Sequence, residues 1–136
     1  MAEVITYSSQ GTKDGRNYFR VRITYTDIAS AQETTIQLPP GLGKRYWHLE
    51  AFHIVRTGGS GSNWAPRIGN ASGFAADSIN ELMGYDSAAV GTPINDMWTY
   101  PGLPMWSDSA FKLYLVPAFD SGSDNDAEVD LIFSME

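Results

Sequence analysis

The chain reads as all-β: a single-domain antiparallel β-sandwich of jelly-roll type over residues 1–136, with long loops and at most one short helix. Three observations predict this class. Several stretches alternate apolar and polar residues with a period of two, as half-buried strands do. Clusters of Gly, Pro, Asn, Asp and Ser separate those stretches. No helical heptad or internal repeat runs through the chain, so roughly six to eight short strands divided by turns remain as the organising pattern.

Residues Tyr18 to Thr26 alternate cleanly, with Phe19, Val21, Ile23 and Tyr25 on one face and Tyr18, Arg20, Arg22 and Thr24 on the other. Gln32 to Leu38 follows with Thr34, Ile36 and Leu38 in register, and Pro39-Pro40 stops it because proline has no ladder donor. A turn at Asp27-Ile28-Ala29-Ser30 would make these two a hairpin. Tyr46 to Arg56 is the longest apolar and aromatic run, which predicts a central strand partly buried on both faces. From residue 57 to 109 the composition shifts to Gly, Ser, Asn and Pro with isolated Trp and Tyr, the texture of long structured loops broken by short strands. Within it Ser78-Ile79-Asn80-Glu81 has the form of a capping box and Gly84 suits a left-handed stop, so a short helix is expected at 78–83. Phe111, Leu113 and Leu115, then Ala127, Val129, Leu131 and Phe133, alternate with polar neighbours, and the two strands are expected to pair around the polar loop 120–126.

A chain of 136 residues is the size of one ordinary domain, and folding at that size removes roughly two-thirds of the unfolded surface from water. With 43% hydrophobic, 12% aromatic and 18% charged residues, the composition is that of a protein with a real core. No stretch approaches the roughly 18 apolar residues of a membrane span, and Met1-Ala2-Glu3-Val4 lacks the basic and apolar blocks of a secretion signal. Use without export and without a membrane is expected. The absence of cysteine excludes disulfides, thiolate metal sites and cysteine nucleophiles.

The net charge of −7 disfavours nucleic acid as a partner. Residues 1–67 carry eight bases and five acids, whereas residues 68–136 carry one base and eleven acids. Either the two halves form a dipolar subunit whose basic patch meets a neighbour's acidic patch, or they interleave as strands and mix their charges on one solvated face. Interleaving is favoured, because sandwich topologies bring distant strands together.

Candidate chemistry is sparse. His48 and His53 are five apart on one expected strand, which would point them to opposite faces and prevent joint metal binding. His48 shares its face with Glu50, a contact more often structural than catalytic. No G-x-S-x-G stretch occurs, and Gly58-Gly59-Ser60-Gly61-Ser62 lacks the lysine of a phosphate-gripping loop. Asp120, Asp124 and Asp126 offer hard oxygen ligands, yet their spacing is not that of a twelve-residue calcium loop, and turn hydrogen bonding is favoured. No enzyme activity, cofactor or metal is expected. Trp64, Trp98, Tyr100 and Trp106 lie in loop-like segments and are the interface candidates, with plugging of the sandwich ends as the alternative. Sugar binding would be favoured by Trp64, Trp98 and Trp106 being coplanar and exposed in one monomer, and assembly by their burial between copies.

The cysteine-free β chain, the segment Trp98-Thr99-Tyr100-Pro101-Gly102-Leu103-Pro104-Met105-Trp106 and the closing strands Phe111–Phe119 and Asp124–Phe133 resemble small jelly-roll structural proteins of tailed bacteriophages, nearest to capsid decoration, or cement, proteins. That resemblance implies a virion protein assembled in the host cytoplasm, a homotrimer on the capsid exterior bound to a major capsid or other virion protein, and no catalytic residues. A carbohydrate- or receptor-binding module of a phage fibre or tail is the alternative.

Overall fold

Period-two alternation becomes two antiparallel sheets and a short ribbon in the computed structural model, which describes residues 2–13, 15–40, 43–86, 88–89, 93–99 and 102–135. The described residues form twelve strands and no helix. The larger sheet runs β1 (Ala2–Lys13), β2 (Arg16–Ile28), β12 (Asn125–Met135), β4 (Tyr46–Gly58), β10 (Leu103–Trp106), with β9 (Ile94–Met97) also bonded to β4. The smaller sheet runs β3 (Thr34–Gln37), β11 (Lys112–Val116), β6 (Arg67–Gly69), β7 (Glu81–Gly84). A two-stranded ribbon pairs β5 (Asn63–Trp64) with β8 (Ala88–Ala89). The arrangement is sandwich-like, with the apolar faces of both sheets sharing one core.

The core is built in cross-strand rows on the larger sheet. Leu131 lies between Val21 and Phe52, and Val129 lies between Ile23 and Ile54. These side chains are buried, as are Ile36, Ile68, Leu113 and Leu115 from the smaller sheet. Each such side chain contributes about 1.5–3 kcal/mol relative to exposure. At one margin the two sheets are tied by polar contacts from β1: the Gln37 amide donates to the Tyr7 hydroxyl at 3.0 Å, and the Thr34 hydroxyl donates to Glu3. Tyr7 also stacks on Phe19, with ring centroids 5.5 Å apart.

Neither expected hairpin forms. After β2 the chain crosses to the other sheet, where β3 pairs with β11, while β2 takes β1 and β12 as neighbours. The crossing is held by the Ser30 amide bonded to the Gly122 carbonyl and the Phe119 amide bonded to the Ser30 carbonyl. Likewise β11 and β12 belong to different sheets, so the segment between them is a crossover and not a hairpin loop. The physical reason is common to both: alternation shows that a strand buries one face, but not whether its neighbour in sequence lies beside it or opposite it.

The helix expected at 78–83 is absent, and a turn leads there into β7. The Ser78 hydroxyl donates back to the Ala75 carbonyl at 2.7 Å, and the Glu81 carboxylate is taken by Arg67 at 3.1 Å and by the Asp77 amide at 3.0 Å. Both groups of the expected capping box are therefore engaged elsewhere, and Met83 pairs with Ile68 in the ladder. Pairing also organises the segment before Trp106, part of which was expected to be loop. β9 and β10 lie along the same side of β4, β9 on residues 51–54 and β10 on residues 46–49. Trp98, Thr99 and Gly102 lie outside both strands. Gly102 sits at φ +69° with its Cα against the Leu49 carbonyl, where a Cβ would lie 2.6 Å from that oxygen.

Leu113→Ala is expected to cost about 2–5 kcal/mol, since the lost transfer energy adds to a cavity term. Ile79→Ala, at a side chain 90% exposed, should change stability by less than about 0.5 kcal/mol. Urea unfolding of both variants checks this, and equal costs would contradict the assignment of faces.

Candidate binding face

The outer face of the larger sheet collects the polar and aromatic side chains that the core rejects. Its composition depends on one irregularity in β4. Against β12, Ala51 lies opposite Ile132 and Leu49 opposite Phe133, so Glu50 is an extra residue, a β-bulge. Trp47 and Leu49 point inward before the bulge, and Phe52 and Ile54 point inward after it. His48 and His53 therefore both face outward. This corrects the expectation of opposite faces, which assumed unbroken alternation. The two histidines do not converge: His53 lies beside Asp130 and His48 beside Ser134. Among the described residues no group of three or more His, Cys, Asp or Glu is placed to hold a metal ion.

The centre of this face is a charge lattice. Arg20 Nε donates to Asp130 Oδ1 at 2.8 Å, a second nitrogen of Arg20 bonds Asp130 Oδ2, and Arg22 Nε lies 3.6 Å from the same oxygen. The hydrogen bonds from Arg20 hold the Asp130 carboxyl below the usual carboxylate range. Arg22, Thr24, His53, Glu128 and Asp130 line an open depression of about 320 Å³. Bases from the first half of the chain thus meet acids from the second half on adjacent strands. Charge interleaves within the subunit on this face.

One end of the face is aromatic. Tyr46 and Trp106, cross-strand neighbours on β4 and β10, hold their rings within 7° of parallel with centroids 6.5 Å apart. They are 50% and 44% exposed. His48 meets Tyr46 edge-on at 5.2 Å. Two strands away the Arg16 guanidinium lies over the Tyr18 ring at 5.2 Å. Between them Glu50 Oε1 accepts from the Ser134 hydroxyl and from Arg16 at 3.4 Å. The carboxylate expected beside His48 is therefore committed to Ser134 and Arg16.

The four interface candidates scatter. Trp64 is 1% exposed and packs on Phe119, with centroids 5.5 Å apart. Trp98 is half-buried against the core, Trp106 is exposed, and Tyr100 lies outside the described residues. Three coplanar exposed tryptophans do not exist, and the exposed partner of Trp106 is Tyr46. Arg16, Tyr18, Tyr46 and His48 were not among the candidates. Their alternation with Asn17, Phe19, Trp47 and Leu49 is visible in the sequence, but their meeting requires the pairing of β2, β12, β4 and β10.

Asp120, Asp124 and Asp126 accept hydrogen bonds from distant backbone. The Ser62 amide donates to Asp120 at 2.8 Å, the Ser60 amide and hydroxyl donate to Asp124 at 3.1 and 2.7 Å, and the Asp27 amide donates to Asp126 at 2.8 Å. Asn125 joins them by accepting from the Gly61 amide at 3.0 Å. These bonds, from the Ser62 amide for Asp120 and the Ser60 hydroxyl for Asp124, hold both carboxyls below their ordinary value. Because the folded values lie under the unfolded value of about 3.9, the stabilisation is complete above that pH and is lost as the pH falls through the folded values. The melting temperature should therefore drop as the pH falls below about 4, and Asp124→Asn should flatten that drop while lowering the melting temperature at neutral pH. A variant with an unaltered acid profile would contradict a stabilising role for the Ser60–Asp124 bonds.

Set against known proteins, the chain matches no protein-family model and no curated protein.

Proposed function

We propose that the chain is a non-enzymatic virion structural protein, a capsid decoration or cement protein of jelly-roll type. It works on the capsid exterior as a homo-oligomer, in the first instance a trimer. The observation that carries this reading is the asymmetry of the larger sheet's two edges. β1 is a twelve-residue edge strand whose only strand neighbour among the described residues is β2. It contains no proline, and Val4 stands outward at 59% exposure. At the opposite side β9 and β10 are four residues each and β10 contains Pro104, which blunts further pairing. A register shift between Ser9 and Gly11 interrupts the ladder with β2, which resumes at Gly11 opposite Tyr18.

The stretch Ala2–Tyr7 of this edge, before the irregularity, invites strand addition by a neighbour, a contact whose main-chain hydrogen bonds give affinity without a cleft. The net charge of −7 suits a surface turned away from packaged nucleic acid. Both features fit a small subunit whose work is to adhere.

Cosedimentation with particles assembled without the protein tests the reading. The wild type should bind and raise the particles' resistance to heat, and Val4→Lys should keep its melting temperature but lose binding, because it places charge on the contact edge. Failure of the wild type to bind any such particle would overturn the proposal. Sedimentation equilibrium of the free protein should give three times the monomer mass, and a strict monomer would contradict the trimer.

A further inference from the structure

The free stretch of β1 emerges at the acidic end of the sandwich. Ala2 lies opposite Thr26, Ile28 opposite Asn125, and Asp126 opposite Gly58, so β1 begins where β2 and β4 end and β12 starts. Glu3, Asp27, Asp126 and Glu128 belong to these strand ends, and Asp120 and Asp124 join them from the crossover that binds the Ser60 and Ser62 amides. Arg56 is the base that stands among them, with its Nε donating to the Gly58 carbonyl at 2.9 Å. Arg20 and Arg22, further along the outer face, are engaged by Asp130. We propose that the strand received by the Ala2–Tyr7 edge is an extended basic segment of a partner protein, whose lysine or arginine side chains face Glu3 and the acidic end around it. The inference rests on strand addition at β1 and names the chemistry of the added strand.

Three observations select that partner. First, β2 is the one strand beside β1 among the described residues, so alternate peptide groups of Ala2–Tyr7 face away from the sheet with no strand to receive them. Second, Glu3 is an exposed carboxylate on the side of β1 that turns toward the other sheet, where it accepts from the Thr34 hydroxyl. A charge in that place guards an edge against indiscriminate addition, because an apolar strand laid beside it takes water from the carboxylate and returns nothing. A base on the incoming strand turns the same penalty into a cross-strand attraction, so Glu3 discriminates between partners. Third, β1 cannot supply that base to another copy, since Ala2 to Gln10 contain no lysine or arginine and a second β1 would bring only a second Glu3. Beside Glu3, Ile5 packs on the core and Tyr7 stacks on Phe19, so apolar side chains of the added strand continue the sheet's inner face beyond them.

Short peptides of alternating threonine and valine, differing only in carrying lysine, glutamine or glutamate at the same places on one face, test the proposal when titrated into the isotope-labelled full chain. The lysine peptide should bind saturably, shift the amide resonances of Glu3 to Tyr7 and slow their hydrogen exchange. The glutamine peptide should bind more weakly and the glutamate peptide most weakly of all, with the difference shrinking at high salt. Glu3→Gln keeps an acceptor for Thr34, so it should leave the melting temperature unchanged while cutting the preference for lysine over glutamine about two- to fivefold. No saturation by the lysine peptide up to about 10 mM, or equal affinity for all the peptides, would overturn the proposal. So would shifts confined to the 120–126 crossover with the β1 amides unmoved, which would reduce the effect to attraction by the acidic end. Particle docking by a wild type that ignores the lysine peptide would overturn this inference alone, and lysine-peptide binding without particle docking would overturn the virion reading alone.

Discussion

One extra residue in β4 organises the outer surface of this protein. Glu50 has no partner residue opposite it on β12, so the inward face of β4 changes parity there, from Trp47 and Leu49 to Phe52 and Ile54. Without the bulge, a strand that buries one half of this run would expose the other half's aromatics. With it, residues 47 to 54 of β4 keep Trp47, Leu49, Phe52 and Ile54 on the core on both sides of the irregularity. The bulge also coincides with the break between β9 and β10, and the Trp98 amide bonds the Glu50 carbonyl at 3.0 Å on that side. Its side chain turns toward β12 and β2, where it meets Ser134 and Arg16. A local backbone feature thus brings residues of three strands into one cluster.

The second organising fact is that β12, almost at the end of the sequence, lies between β2 and β4. Its inward residues complete the apolar rows, and Asp130 on its outward side pairs with Arg20 and Arg22. The uneven charge of the two halves of the chain is therefore a property of the sequence and not of the folded surface at this face. Such partly exposed pairs contribute little each, and the apolar rows beneath them supply most of the stabilisation. The aspartates of the crossover before β12 add a further tie, since they bind backbone amides of the segment that follows β4.

Strand identity was legible wherever one face is apolar. Phe19 to Tyr25, Thr34 to Leu38 and Ala127 to Phe133 alternate in the sequence and are buried as that alternation requires. β1 was not legible, because as an edge strand it shows water Val4, Thr6 and Ser8, and on its other face only Ile5 and Tyr7 pack on the core while Glu3 bonds Thr34, too short an apolar stripe to mark a strand. Strand pairing was illegible for a different reason. Two half-buried strands close in sequence bury their faces equally well side by side or across the core, and only long-range contacts such as Ser30 with Gly122 decide between them. The residues at the aromatic end of the outer face needed both the pairing and the bulge. Tyr46 and His48 carry no local mark that separates them from core residues of the same run, and Trp106 became the exposed tryptophan only because Met105 took the inward position.

Cross-strand nuclear Overhauser contacts between β4 and β12 test this account most directly. The account predicts contacts that place Ala51 opposite Ile132 and Leu49 opposite Phe133, with Glu50 opposite no residue. An unbroken ladder that sets Glu50 opposite Phe133 and Leu49 opposite Ser134 would turn His48 toward the core, break its contact with Tyr46 and contradict the account.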